Sequence, residues 1–231
     1  MKLVQLSENT IVVLFEQRID LNISKLVFIL TERIEAELFE VIIDVIPSYA
    51  SIHILFDLRK TSAEKLIRSI RKLSQQITTI HHSVKETASG NEPIEIPVYY
   101  GDEVGFDLGV IALTAGMKKK EVIKIHSERI YHVYAMGFAP GFAYLGKVDE
   151  RIATPRKETP RLSIPAGSLG IANQQTAIYP SDSPGGWQII ARTPIKLVDY
   201  QQQQPTTVKT GDKVRFVPIG RQEYLQLGGQ L

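Results

Sequence analysis

The chain has 231 residues, of which 43% are hydrophobic and 23% charged, with a net charge of +2 and no cysteine. That length accommodates one large domain or two small ones. Without cysteine there is no disulfide framework, thiolate chemistry or zinc–cysteine site, and the near-balanced charge gives no broad electrostatic footprint for nucleic acid.

In chain order, Lys2–Leu6 and Ile11–Phe15 are short β-leaning runs around a Ser-Glu-Asn-Thr turn. From Asn22, the apolar positions Ile23, Leu26, Val27, Leu30 and Ile34 follow helical spacing, with Asp20 or Asn22 available as N-cap. Phe39–Pro47 and Ser51–Phe56 read as strands. Ser62–Ile77 is the clearest helix, with Leu66, Ile67, Ile70, Leu73 and Ile77 in one stripe. This order predicts a small α+β domain over residues 1–80, with both helices on one face of the sheet. A polar linker over residues 81–91 follows, ending in Ser-Gly-Asn. His81 and His82 within it have no partners at metal-ligand spacing.

The second half, residues 92–231, has a different texture. Ile94–Tyr100 and Ile130–Phe138 are expected strands, and Asp107–Thr114 and Lys118–Ser127 expected helices. Thr176–Tyr179, Gln188–Arg192, Lys196–Val198 and Lys213–Pro218 are short strands between turns, a pattern that favours a closed barrel or a sandwich. The longest apolar runs, such as Val41–Ile46, fall far short of the ~20 residues that span a bilayer. The opening MKLVQLSENT lacks a secretory core, so a soluble, cytoplasmic protein is expected.

Gly137–Pro194 concentrates the chemistry: it holds seven of the twelve prolines, seven of the sixteen glycines and the only tryptophan. Such a stretch is neither helix nor disorder, because Pro and Gly oppose helix while aromatics oppose disorder. Gly137, Phe138, Pro140, Gly141, Phe142 and Tyr144 suit a loop whose amides approach a ligand between aromatic walls; equally, they suit a tight turn whose rings fill a barrel. Arg156 and Arg161 each follow Thr-Pro, which stiffens the backbone and presents a guanidinium suited to carboxylate or phosphate. Arg192, before Thr-Pro, is a weaker candidate. Gly167 and Ser168 lie in Pro-Ala-Gly-Ser, which lacks the Gly-x-Ser-x-Gly elbow, so a turn or ligand hydrogen bond suits Ser168 better than nucleophilic attack. Gln175 and Tyr179 offer amide and phenol contacts, and Trp187 suits a core plug better than a stacking wall. No phosphate-binding glycine motif is present.

GFAPGFAYLG, the paired Thr-Pro-Arg units, IPAGS, QTAIYP, SPGGWQIIARTP and TGDKVRFVPI occur in that order. In this the chain resembles the 5-oxoprolinase B-subunit family, also called allophanate hydrolase subunit 1 or the kinase A inhibitor family. The resemblance spans nearly the whole chain and is most specific over 121–194. Where relatives often have Ala-Gly-Gly-Gln-Thr-Gly, this chain has Ala172-Asn173-Gln174-Gln175-Thr176-Ala177, and Asn173 is able to keep a left-handed turn.

The resemblance implies a ferredoxin-like N-terminal domain and a C-terminal barrel of cyclophilin-like architecture. It implies the B subunit of an ATP-dependent 5-oxoprolinase that converts 5-oxo-L-proline to glutamate with the A and C subunits, ATP (as Mg-ATP) being shared with those partners. It also supports His126 as a residue able to transfer a proton near neutral pH; the alternative is a half-buried histidine bonding the next strand. A second implied function is a binding protein that inhibits a sensor histidine kinase. A third, weaker one is a component of a urea- or allophanate-linked carboxyl transfer.

Overall fold

The computed structural model describes residues 1–83 and 92–231, the side chains of 78–83 excepted. The chain divides into two compact units, Met1–Gly90 and Asn91–Leu231.

In the first unit, β1 (Lys2–Ser7) and β2 (Thr10–Leu14) form a hairpin, followed by α1 (Leu21–Leu38), β3 (Ile42–Pro47), β4 (Ser51–Phe56) and α2 (Ala63–Ser83). The four strands pair antiparallel in the order β1-β2-β4-β3. Asp20 caps α1 by accepting from the backbone N–H groups of Asn22 and Ile23 at 2.8 and 3.2 Å, as its position before the apolar stripe predicts. The stripe residues Ile23, Val27, Leu30 and Ile34 meet Leu66, Ile70, Leu73 and Ile77 of α2 over Ile11, Val13, Ile52, Ile54 and Phe56 of the sheet. The segment β2-α1-β3-β4-α2 follows a split βαβ pattern, but β1 fills the remaining place beside β2. No Gly or Pro interrupts α2, which runs to Ser83 and so into the residues expected as linker. The rest of that linker, and the side chains of His81 and His82, lie outside the described residues.

The second unit is built on a seven-stranded mixed sheet. Its strands are β5 (Ile94–Val98), β6 (Ile130–Met136), β7 (Ala143–Gly146), β9 (Ser168–Ala172), β10 (Gln175–Ile178), β12 (Gln188–Arg192) and β13 (Lys213–Pro218). They run in the order β12-β9-β10-β7-β6-β13-β5, and only the β13–β5 pair is parallel. The two edges meet where Tyr99 and Arg192 exchange backbone hydrogen bonds of 2.8 and 2.9 Å, which closes the sheet into a barrel. Alternation along the strands turns Val133, Leu145, Leu169, Ile171, Ile178, Val214 and Phe216 inward. Two helices, α3 (Leu108–Thr114) and α4 (Lys119–Ser127), add Leu108, Ile111 and Val122 to the same core. A two-stranded ribbon of β8 (Arg161–Ile164) and β11 (Ser183–Gly185) and a short helix α5 (Arg221–Gln226) complete the unit.

Three expectations need correction. Ile130–Phe138 stops as a strand at Met136, because Gly137 and Phe138 turn to φ 154° and 75°. Lys196–Val198 is not a strand; Pro194 and Pro205 each remove a donor, and only a Val198–Thr206 bridge forms. Ser168, expected in a turn or a ligand hydrogen bond, instead opens a strand, Ser168–Ala172, buried at every position. Asn173 adopts φ 53° after it, the conformation its side chain tolerates.

Candidate functional site

The outward face of the barrel carries the aromatics. Phe142, Tyr179, Trp187 and Ile189 pack over Ala172 and Ala177, whose small side chains leave room for the rings, and Tyr144 joins them. The Phe142 ring is the hub. Its centroid lies 4.9 Å from Tyr144, 5.4 Å from Tyr179, 5.8 Å from Trp187 and 5.2 Å from Phe138, all in edge-to-face arrangements. The Arg156 guanidinium lies 5.8 Å from the Trp187 ring centroid, within cation–π range, while the residue itself is exposed. Trp187 is 4% exposed, so it serves both as plug and as the surface beneath a cation.

Arg161 has a different partner. Its two terminal nitrogens donate to the two oxygens of Asp107 at 2.8 Å each, and Lys157 Nζ adds a third contact at 3.3 Å. Asp107 also accepts from the buried Ile189 N–H at 2.7 Å. Burial pushes the Asp107 carboxyl up, but the Arg161, Ile189 and Lys157 contacts outweigh it and hold the group below its ordinary value. Two cations on one carboxylate leave this edge of the aromatic face positive. Asp107 was legible in the sequence only as a helix start; no local signal pairs it with a residue 54 positions away.

The Gly137–Gly141 loop lines a separate open depression of about 530 Å³, together with Met136, Thr206, Val208 and Lys209. Ala139-Pro140-Gly141-Phe142 is a tight turn closed by Phe142 N–H to Ala139 O at 3.0 Å. Gly141 at φ 81° takes the position that a type II turn reserves for glycine, and a Cβ there would overlap Val198. Phe138, at φ 75°, is 64% exposed, an unusual conformation and an unusual exposure for an aromatic.

His126 lies inside the barrel core with no exposed surface. Its Nε2 is 3.1 Å from Thr176 Oγ1, and Nδ1 is 2.9 Å from the Tyr100 hydroxyl. Thr176 spends its one proton on Gly170 O at 3.0 Å, so Nε2 must donate to Thr176 and Nδ1 must accept from Tyr100. The ring also stacks on Phe216 at 5.1 Å. Burial lowers its pKa from 6.5 to about 3. This geometry makes His126 a fully buried, neutral residue with both ring nitrogens occupied, where the resemblance supported proton transfer or, alternatively, a half-buried histidine. Because the folded value is depressed, its stabilising effect is complete above pH 6.5 and declines as pH falls towards 3. We expect the second unit to lose roughly 2 to 3 kcal/mol between pH 6.5 and 4.5 through this one proton. Denaturant titrations across that range check it; a flat profile would contradict the burial.

A third group lies at the barrel seam. Ser168 and Arg192 are cross-strand partners of β9 and β12, and Gly167 precedes them at φ 80°. A Cβ on Gly167 would come within 2.5 Å of the Thr193 carbonyl oxygen, and at φ 80° only glycine fits this turn, with the Arg192 Cγ close beside it at 3.3 Å. The backbone of Tyr179 bonds both Gly167 and Ser168, and Pro180 lies beside Gly141. Gln175 sits at the far end of β10 from Tyr179, pairing with Ala172 and Gly146.

The sequence candidates thus fall into three neighbouring groups. Phe142, Tyr144, Tyr179 and Arg156 share one face, and Arg161 borders it. Gly137, Phe138, Pro140 and Gly141 line the depression, which none of the three arginines lines. Gly167, Ser168 and Arg192 form the seam group, while Gln175 and His126 stand apart. The arginines and the aromatics do not converge on one hollow: Arg156 lies over a buried aromatic cluster, Arg192 lies at the seam, and the depression is lined separately.

A family model described as carboxyltransferase domain, subdomain C and D, matches residues 1–208. The chain is 38% identical over 232 residues to the 5-oxoprolinase B subunit of Bacillus subtilis (strain 168), covering 95% of this chain and 93% of that protein. It is 45% identical over 150 residues to the protein of the same name from Haemophilus influenzae, covering 65% and 70%. Among solved structures, TTHA0988 superposes with a TM-score of 0.81 at 29% identity, over 93% of this chain but 41% of that one. Kluyveromyces lactis urea carboxylase shares the fold, with a TM-score of 0.73 at 20% identity over 97% of this chain and 22% of that one.

Proposed function

We propose that this chain, which belongs to the 5-oxoprolinase B-subunit family, is the B component of an ATP-dependent 5-oxoprolinase that opens 5-oxo-L-proline to glutamate. The observation that carries this reading is the near end-to-end match to a named B subunit. The lactam is a resonance-stabilised amide; ATP would supply activation by transferring its γ-phosphoryl group to the carbonyl oxygen with release of ADP, after which water addition, loss of phosphate and cleavage of the ring C–N bond would give glutamate. The A and C subunits complete the cleft and share Mg-ATP with it. In this assembly the exposed Arg156, braced on the buried Trp187 ring, meets the carboxylate of 5-oxoproline or a phosphate.

The kinase-inhibitor function implied by the resemblance has no specific feature of this chain behind it. Carboxyl transfer is named in the description of the matching family model, but the relative matched nearly end to end is named a 5-oxoprolinase B subunit, and the likeness to urea carboxylase at 20% identity is one of fold.

The purified chain alone is expected to release no glutamate from 5-oxoproline, with or without ATP, and co-expression with the A and C subunits is expected to give ATP-dependent release. Turnover by the chain alone, or a reconstituted complex that releases none, would refute the proposal.

A further inference from the structure

We infer that Arg192 and Ser168 form an oxyanion site, for a carboxylate or phosphate group, that the chain's own segment Gly228–Gln230 covers as a displaceable strap. Arg192 is 7% exposed and Ser168 has no exposed surface. A guanidinium keeps its charge in a protein, and a buried charge normally has an anionic partner. Among the described residues no carboxylate pairs with Arg192. Its side-chain contacts are Gln230 O, 2.9 Å from Nη1, and the Tyr224 hydroxyl. Two buried polar atoms, Arg192 Nε and Ser168 Oγ, have no protein partner at all. They belong to directly paired residues of β12 and β9, whose side chains leave the sheet on the same side.

The fold also holds this arginine in place. Its backbone makes the barrel-closing pair with Tyr99, and its stem crosses Gly167, where no other residue fits. A site this constrained loses little freedom when an anion arrives. The strap lies at the surface, with Gly228 and Gln230 exposed, and is tied back by Gly228 N–H to Leu225 O at 3.0 Å and Gly229 N–H to Tyr224 O at 2.9 Å. Tyr224 stacks on Tyr99 at 5.3 Å and donates to Gln230 O at 2.7 Å, so the Gln230 carbonyl is a neutral acceptor in the place of a charged one. An oxyanion offers the guanidinium fork two charged acceptors and gives Ser168 Oγ a partner, and it replaces Gln230 O in doing so.

This inference does not depend on the enzymatic reading, because the test uses the full chain without partner subunits. Thermal unfolding and hydrogen exchange would be followed in phosphate, in 5-oxoproline and in chloride at matched ionic strength. The expected result is a rise in melting temperature with phosphate or 5-oxoproline beyond that in chloride, together with faster exchange at residues 228–230. A response to phosphate alone assigns the site to a phosphate ligand, and one to 5-oxoproline assigns it to a carboxylate. Ser168→Ala is expected to weaken the apparent affinity about tenfold, the loss of one charge-assisted hydrogen bond. Arg192→Lys keeps the charge but not the fork, and is expected to weaken it at least as much; it also serves where Arg192→Met does not fold. Equal shifts in chloride, a response unchanged in both variants, or no change in exchange at 228–230 would overturn the inference.

Discussion

Asp107→Ala is expected to destabilise the second unit by about 3 kcal/mol, the cost of breaking a buried ion pair. For a unit of this size that lowers the melting temperature by roughly 6 to 12 °C. The side chain is 3% exposed and accepts from Arg161, Lys157 and the Ile189 amide, so its removal strands a buried N–H as well as two cations. Lys157 and Arg161 keep 30% and 25% of their side-chain surface, and water recovers part of their loss, which sets the figure at the lower end of the usual range. Asp107→Asn retains an acceptor for Ile189 and should cost about half as much. The pH signature is separate from that of His126. The Asp107 carboxyl is held below its ordinary value of 3.8, so its contribution is intact above that pH and lost only as pH falls below it. Calorimetry of the two variants checks this, and a shift under 2 °C for Asp107→Ala would show that the cluster is not structural.

The second large effect is catalytic and belongs to Arg156. It is exposed, follows a stiff Thr-Pro, and touches only the face of Trp187 among the contacts that define the site. Arg156→Ala should therefore leave the melting temperature within about 1 °C of the parent. In the reconstituted enzyme it should lower kcat/KM for 5-oxoproline by roughly 10- to 100-fold, the worth of one charge-assisted hydrogen bond to the ligand. Arg161→Ala is the contrasting case. Because Arg161 is committed to Asp107, it should lose stability first, and activity with it. If Arg156→Ala retains full turnover while Arg161→Ala loses it at unchanged stability, the roles assigned to the two arginines are reversed.

The contrast between these two arginines marks where sequence reading ends. The helices α1, α2 and α4 were legible because their apolar residues recur with helical spacing, and β6, β10, β12 and β13 because β-branched residues cluster between turns. The strands β7, β8, β9 and β11 were not. They are short, and β7, β9 and β11 are rich in Gly, Ala, Ser or Pro, which reads as loop, although in β9 a small residue, Ala172, is what lets the aromatics pack over the sheet. Phe142, Tyr144, Tyr179 and Arg156 were recognisable as site candidates from composition, yet their grouping depends on β7, β10 and the approach to β12 being neighbours. His126 shows the converse. On a helix with one turn of apolar neighbours it looks available, and only Thr176, fifty residues away, reveals that both ring nitrogens are occupied. Arg161 likewise looks free until Asp107 is placed beside it. Charged and polar residues announce their chemistry locally, but their partners are set by topology.

In the proposed enzyme, the exposed Arg156 and Phe138, at the edge of the buried aromatic cluster, become part of a catalytic cleft only when a partner subunit covers them. Hydrogen exchange on this chain, alone and after mixing with the A and C subunits, reads that covering without relying on turnover. New protection is expected at residues 137–142, 154–157 and 185–188, with the first unit's β4 unchanged as an internal reference. Protection confined to other surfaces, with those three segments exchanging as fast as before, would contradict it.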